Sequence, residues 1–450
     1  MKNILLFLIA ICWLCISAGA QDSLFAPSVN YQTGNRPSSI CAADFDSDGD
    51  IDLAVLTIDP DWFRMLMNNG DGTFQAAVNY GVGGDPTFVF ASDLDGDGHK
   101  DLIASMFEGS VFIRYNDGDG TFDDWYYYPY AGEYSYCAIA SELDGDGDND
   151  IIVASILGWV TELRNNGDGT FPGYSQEIYV TAAGSRSVFP IDLDGDSDND
   201  LAVANRWSDS VSVLRNNGDG IFVTINYGAG DGPRSVFAYD LDGDQDNDLA
   251  VANQYSNDVS ILKNDGNAIF DSVVHYSAGI QPFSVFAADF DEDGDGDLAV
   301  ANYSDDSISV LINLGDGTFG PPYNYAVGDG PCSIFAADFD GDSDNDLAIT
   351  NDLSDDVSIL MNLGCPYTPG DINADRQVNC NDVVCAVSFL TGGGAPPYSC
   401  NCPPFEFPFY ASGDVNGNCA FNGMDVTYYV AYLKGINPAL LYCPDCPPAR

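Results

Sequence analysis

Positive charge is scarce in this sequence. Fourteen lysines and arginines stand against 69 aspartates and glutamates in 450 residues, a formal net charge of −55. That balance excludes a basic surface for nucleic acid or an anionic membrane. Histidine is scarcer still: His99 and His275 are the only two, and neither sits in a recognisable catalytic spacing. Beyond residue 20 no apolar run is long enough to span a bilayer. Core-forming residues, by contrast, are plentiful. With 45% hydrophobic residues, 25 Tyr and 26 Phe, the chain is too apolar for a disordered acidic polymer. It should fold once something balances its charge.

The first twenty residues, MKNILLFLIAICWLCISAGA, combine one lysine, an apolar run and Ala18-Gly19-Ala20. They read as a secretory signal, residues 1–20, cleaved before Gln21, so the mature chain is expected to be secreted, extracellular or cell-surface associated. Cysteine usage agrees with that compartment. Eight of the 13 cysteines crowd into the tail: Cys365, Cys380, Cys385, Cys400, Cys402, Cys419, Cys443 and Cys446. In an oxidising compartment they are expected to form up to four disulfides rather than a zinc site. Cys41, Cys137 and Cys332 stand alone and should pack in strands.

An acidic motif recurs seven times: DFDSDGDID at Asp44, DLDGDGHKD at Asp93, ELDGDGDND at Glu142, DLDGDSDND at Asp192, DLDGDQDND at Asp240, DFDEDGDGD at Asp289 and DFDGDSDND at Asp338. The spacing stays near forty-nine residues, a repeat length that points to a propeller or stacked array. Each unit reads as four short strands, with a Gly-Asp-Gly hairpin between the last two. Four strands per unit make each unit a propeller blade. The seventh unit lacks its last strand, and LFAPSVNYQTGNRP near the N-terminus reads as the missing piece. The expected fold is therefore all-β, a closed seven-bladed β-propeller over residues 21–364.

ADFDSDGDIDLAV together with NNGDGTF resembles the FG-GAP and VCBS-type repeats of integrin α-subunit propellers and many exported bacterial proteins. The resemblance covers about residues 23–364. It implies a calcium-bearing β-propeller used in adhesion and recognition, without naming a ligand.

In each acidic loop, side chains at positions 1, 3, 5 and 9 can turn inward around one ion, with a backbone carbonyl at position 7. Hard oxygen donors in a pliable loop suit Ca2+ better than Mg2+. The expected ligands are Asp44, Asp46, Asp48 and Asp52; Asp93, Asp95, Asp97 and Asp101; Glu142, Asp144, Asp146 and Asp150; Asp192, Asp194, Asp196 and Asp200. The last three loops supply Asp240, Asp242, Asp244 and Asp248; Asp289, Asp291, Asp293 and Asp297; Asp338, Asp340, Asp342 and Asp346. Solvated acidic turns without metal are the alternative. Glycine eases the bend at position 6 in four loops, whereas Ser197, Gln245 and Ser343 replace it in three. These loops look self-sufficient, with no open position beside an acid, base or nucleophile, so no catalytic residue is assigned. The acidic loops and Gly-Asp-Gly hairpins should share one face. Arg36, Arg186, Arg206, Trp207 and Arg234 fall in the connections of the opposite face, where they could hold a carboxylate or stack on a sugar or side chain; scattered loop residues pairing with local aspartates are the alternative.

The repeat stops at CPYTPG, a Pro/Gly-rich boundary, and residues 365–450 read as a second, cysteine-rich domain. GDINADRQVNCNDVVCAVSFLTG is echoed by GDVNGNCAFNGMDVTYYVAYLKG, each a loop followed by an apolar helical segment. Their expected ligands are Asp371, Asn373, Asp375, Asn379 and Asp382, then Asp414, Asn416, Asn418, Asn422 and Asp425. The duplication resembles type I dockerin modules, which implies a small α-helical calcium-binding domain and a cohesin-like scaffold partner. A disulfide-stapled calcium module with no partner is the alternative. Together these readings predict a non-enzymatic exported calcium-binding propeller. It would recognise a glycan or extracellular protein and be attached through its tail, without direct membrane insertion. The competing reading is an extracellular polysaccharide-degrading enzyme on the same scaffold; a mainly structural surface component is a third.

Overall fold

The computed structural model of the protein describes residues 24–364, apart from 124, 130–132 and 172–175. The expected signal at residues 1–20, the tail cysteines and the two expected calcium loops of the tail lie outside the described residues. Within them, Phe25–Phe290 and Gly294–Asn362 form one compact unit. It consists of seven four-stranded antiparallel sheets, six of them built from consecutive strands. The inner strands touch their neighbours in sequence, and the first, Asn35–Ala43, also touches the last, Pro331–Ala337. The seven sheets therefore close into a ring, as the repeat count predicts.

The closure follows the expected route. Strand Val29–Gln32 pairs antiparallel with Asp356–Leu360 and becomes the outer strand of blade 7. Phe25 bridges to Asn362 and meets the rings of Phe290 and Tyr325 edge-on. Chain start and last blade are joined by both backbone pairing and apolar contact.

The second strand of each blade explains why the blades stack. Asp200–Asn205, sequence DLAVAN, is buried along its whole length. Its period-two alternation sends Leu201 and Val203 into a core shared with Ile152 and Val160 of blade 3. Ala202 and Ala204 face the other way, into the core shared with Leu249 and Val251 of blade 5. The same split recurs in Asp248–Asn253, where Ala250 and Ala252 pack against Leu298 and Val300 of blade 6. Large residues on one side meet alanines on the other, so adjacent sheets interdigitate. Each fully buried Leu or Val contributes about 1.5–3 kcal/mol.

Each inner strand carries one interruption. The register with the second strand slips by one residue between Pro37 and Ser39, Pro86 and Phe88, Ser135 and Cys137, and Ser185 and Ser187. It slips again between Pro233 and Ser235, Pro282 and Ser284, and Pro331 and Ser333. A β-bulge of this kind bends the strand and re-aims the extra side chain. The extra residues are Ser38, Thr87, Tyr136, Arg186, Arg234, Phe283 and Cys332. The isolated cysteines lie in strands, as expected, with Cys41 and Cys137 buried and Cys332 at a bulge.

Candidate functional site

The acidic loops are built around their first and last carboxylates. The position-1 aspartate wraps the loop: Asp192 accepts the Gly195 N–H at 2.7 Å and the Ser197 N–H at 3.0 Å. Asp93, Asp240 and Asp338 do the same in their loops. Ser197, Gln245 and Ser343 adopt the left-handed conformation of the glycines they replace, with φ of 76°, 76° and 81°. The turn geometry is kept at the cost of local backbone strain.

Position 9 is buried and doubly bonded. Asp200 accepts N–H groups from Leu193 and from Asn216 of the following hairpin, at 3.0 and 2.7 Å. Burial pushes its carboxyl up to about 6, despite those N–H donors, and pushes Asp101, Asp150, Asp248 and Asp346 up to about 7. Asp52 rises to about 6 for the same reason. Neighbouring carboxylates add to each rise. These are carboxylates held together against their own repulsion.

The remaining donors converge. One oxygen from each of Asp44, Asp46 and Asp48 lies within 4.8 Å of the others, and the same holds for Asp93, Asp95 and Asp101. It holds too for Glu142, Asp144 and Asp146, for Asp192, Asp194 and Asp200, and for Asp240, Asp242 and Asp244. At position 3, Oδ1 of Asp46, Asp144, Asp194 and Asp242 is fully buried and accepts no hydrogen bond. A buried carboxylate oxygen without a donor is costly unless a cation completes it. All-oxygen donors, clustered and partly unsatisfied, fit a hard divalent cation. The ten tail ligands from Asp371 to Asp425 lie outside the described residues.

Three basic residues beside these loops escape the sequence reading. Arg164 reaches Asp144 at 2.9 Å, Lys263 reaches Asp242 at 3.2 Å, and Arg215 pairs with Asp194. Each pairing occupies the Oδ2 atom and leaves Oδ1 inside the loop. The three occupy equivalent positions, one residue before the hairpin asparagine; Met67, Tyr115 and Met361 stand there in other blades.

That asparagine is the second feature the sequence hides. Asn216 Nδ2 donates to the Asn199 carbonyl in its own acidic loop and to the Leu143 carbonyl in the loop of the preceding blade. Asn116, Asn165, Asn264, Asn313 and Asn362 repeat the reach backwards, to Phe45, Leu94, Leu193, Leu241 and Phe290. Asn68 closes the circle onto Phe339 of blade 7. Every acidic loop is thus tied to the next blade. The hairpin glycines permit the approach: a Cβ on Gly218 would lie 2.4 Å from Asp198 Oδ2.

The bulge residues form a different site. Together with the serines that follow several of them, they line a cavity of about 90 Å³ to which all seven blades contribute. Arg186 stacks on Tyr136 of blade 3 at 3.9 Å, and Arg234 on Phe283 of blade 6 at 3.5 Å. Each guanidinium leans on the blade to its outer side, so two like charges are directed apart. Burial, reinforced by the neighbouring Arg186 charge, lowers the Arg234 guanidinium well below its ordinary value. Burial is also the chief cause of the fall at Arg186, and Arg206 adds to it. Arg206 bonds to the Tyr255 hydroxyl and stacks on its ring. Trp207 is exposed and rests against Gly184, two residues before Arg186.

The structure therefore brings together Arg186, Arg234 and Arg206, with Trp207 beside them. Arg36 is held elsewhere, paired with Asp352 at 3.1 Å while its N–H bonds to Asp355. It reaches the same region indirectly: Asp352 also accepts the Tyr303 hydroxyl, and Tyr303 stacks on Phe283 at 4.2 Å. His99 spends its ring on Ser47 of the preceding loop, and His275 on Ser260.

No curated protein matches the chain. Among solved structures, it is similar to BBS1N from a complex with ARL6DN, with 12% identity, a TM-score of 0.55, and 76% of this chain and 97% of that one covered. It is similar also to Sqt1 of Saccharomyces cerevisiae, at 10% identity and a TM-score of 0.53, covering 76% and 99%. A lectin of Agrocybe aegerita that recognises non-reducing terminal N-acetylglucosamine aligns at 21% identity and a TM-score of 0.48, over 65% and 81%. At these identities the first two likenesses establish the fold. The FG-GAP-like repeat model matches residues 44–104, 142–203, 192–251, 240–300 and 289–349, more than half of the chain. With seven blades, seven acidic loops and those matches in register, the chain belongs to the FG-GAP-like repeat family.

Proposed function

We propose that this protein is an exported calcium-binding propeller that recognises a glycan or extracellular protein through the face opposite its acidic loops. An FG-GAP-like propeller is a recognition scaffold, and this one has rigid blades with chemically varied residues gathered at its centre. Calcium is assigned to the seven loops, where positions 1, 3, 5 and 9 supply the oxygens and the ion neutralises their charge. The observation that carries the metal assignment is the buried, donorless Oδ1 at position 3. Arg36, Arg186, Arg206, Trp207 and Arg234 are assigned to the ligand side.

Residues 365–450 complete the reading as a dockerin-like attachment module that takes a second protein, such as a cohesin-like scaffold. The protein is read as a binder rather than an enzyme, because the acidic loops repeat one self-sufficient arrangement and neither histidine is placed for catalysis. The test is a glycan and matrix-protein array probed with the full mature chain, with calcium and after chelation. Calcium-dependent binding is expected. Turnover of an acidic polysaccharide with no retained ligand would overturn the reading.

A further inference from the structure

Arg186 and Arg234 are the two arginines that line the central cavity. Acidic residues outnumber basic ones roughly five to one, from 69 against 14. Arg36, Arg164, Arg215 and Lys263 each find a carboxylate. Among the described residues neither Arg186 nor Arg234 forms an ion pair. The charged and polar groups that act on them most are Arg206 and Tyr136 on both, Tyr255 on Arg186, and Arg186 and Cys332 on Arg234. Two cations lining one cavity repel each other even when stacked on opposite neighbours, and an anion between them would relieve that repulsion.

Their placement is deliberate in a geometric sense. Both are bulge residues, so the backbone is bent to aim them into the cavity rather than along the sheet. The hydroxyls of Ser38, Thr87, Ser187, Ser235, Ser284 and Ser333 line the same wall. A volume of about 90 Å³ admits several waters or one acid group, but not a whole sugar ring. Outside it stand Trp207 and Tyr255, 59% and 51% exposed. Arg206, adjacent to Trp207 and bonded to Tyr255, acts on both cavity arginines. Trp207 rests against Gly184 and Tyr255 against Gly232, each two residues before a cavity arginine, and two exposed rings flanking a cationic cavity suit a ligand with a ring and one acid group.

We propose that the bulge ring is a carboxylate site that seats the acid group of a terminal uronic acid between Arg186 and Arg234, with the sugar ring held at the mouth by Trp207 and Tyr255. This rests on the recognition reading above and narrows it to acidic glycans. The guanidinium groups supply paired donors to the carboxylate, and Ser187, Ser235 and Ser284, whose hydroxyl oxygens accept backbone N–H groups from the next blade, keep their O–H hydrogens to donate; Ser38 and Thr87 already donate to carbonyls.

The experiment is calorimetric titration of the full mature protein, in calcium, with glucuronic acid, glucose, glutamate and sulfate. Glucuronic acid is expected to bind about tenfold or more tightly than glucose, the scale of one charge-assisted contact. Arg186→Met and Arg234→Met should each lower glucuronate affinity by about the same factor while raising the melting temperature, since each removes an unpaired, half-buried charge. Trp207→Ala should weaken glucuronate while leaving sulfate binding unchanged. Equal binding of glucuronate and glucose overturns the site. So do arginine variants that melt lower and bind as before, which would make these residues packing elements. Glutamate binding as tightly as glucuronate, with Trp207→Ala silent, overturns the sugar assignment. An array ligand still held by the double arginine variant leaves recognition standing and removes this site; an array with no ligand removes the broader reading.

Discussion

Asn216 sits 1% exposed with both ends of its amide engaged. It donates to the carbonyls of Leu143 and Asn199 and accepts N–H groups from Asn217 and Gly218. Asn216→Ala leaves these groups buried and unpaired, at about 1–3 kcal/mol for each one that finds no water. A loss of about 3 kcal/mol in a denaturant titration is expected, with Asn217→Ala, on the exposed side, within about 0.5 kcal/mol of the parent. Asparagine is so common in turns that its reach to another blade carries no local sequence signal; seven copies in register are the only trace. The position-9 aspartates support a second prediction. Their folded values of about 6 to about 7 lie above the unfolded reference of about 3.9. Between those values the folded, metal-free chain binds more protons than the unfolded one, so its stability falls as pH rises through that window. Metal-stripped protein should therefore melt higher near pH 5 than near pH 7.5, and calcium should raise the melting point most at the higher pH. Equal melting of the stripped protein at both values would count against this account.

At the scale of strands, most of the architecture was legible. Repeats of DLAVAN and NGDG carry their own period and turn chemistry, and the unpaired seventh unit announced the strand swap from the N-terminus. The bulges were not legible. Their residues are Ser, Thr, Tyr, Arg, Arg, Phe and Cys, with no shared chemistry, and a one-residue slip inside an apolar strand leaves the surrounding pattern intact. The sequence therefore placed Arg186 and Arg234 in connections of one face, whereas they belong to inner strands and line the central cavity. Arg164, Arg215 and Lys263 were missed because their partners are carboxylates assigned to metal. The closing strand can be tested directly. Removing residues 21–32 should lower the melting temperature, since it strips the pairing of Asp356–Leu360 and the contacts of Phe25. A peptide of residues 24–33 added in trans should restore part of the loss. A truncated protein that melts like its parent, with or without peptide, would show that closure lies elsewhere.

For the molecule as a whole, charge is the governing quantity. Seven divalent ions would offset about a quarter of the −55 charge, and they would do so where carboxylates are closest together. Elemental analysis of the mature protein is expected to find about seven propeller ions and up to two more in the tail, following the donor sets of such loops. Chelation should lower the melting temperature through loss of ligand linkage. One or two tight ions in total would contradict the loop assignment. The ring also has a history written into it. Asn30 and Ser358, hydrogen-bonded across the closing pair, are 328 residues apart. The strand that finishes the circle is made before every other strand of the ring and waits for the last of them. Bringing such distant ends together costs about 5 kcal/mol of chain entropy, so the seam should be the slowest joint to form. By the same logic it is where opening should begin, and the rate at which that one strand lets go would set the lifetime of the fold.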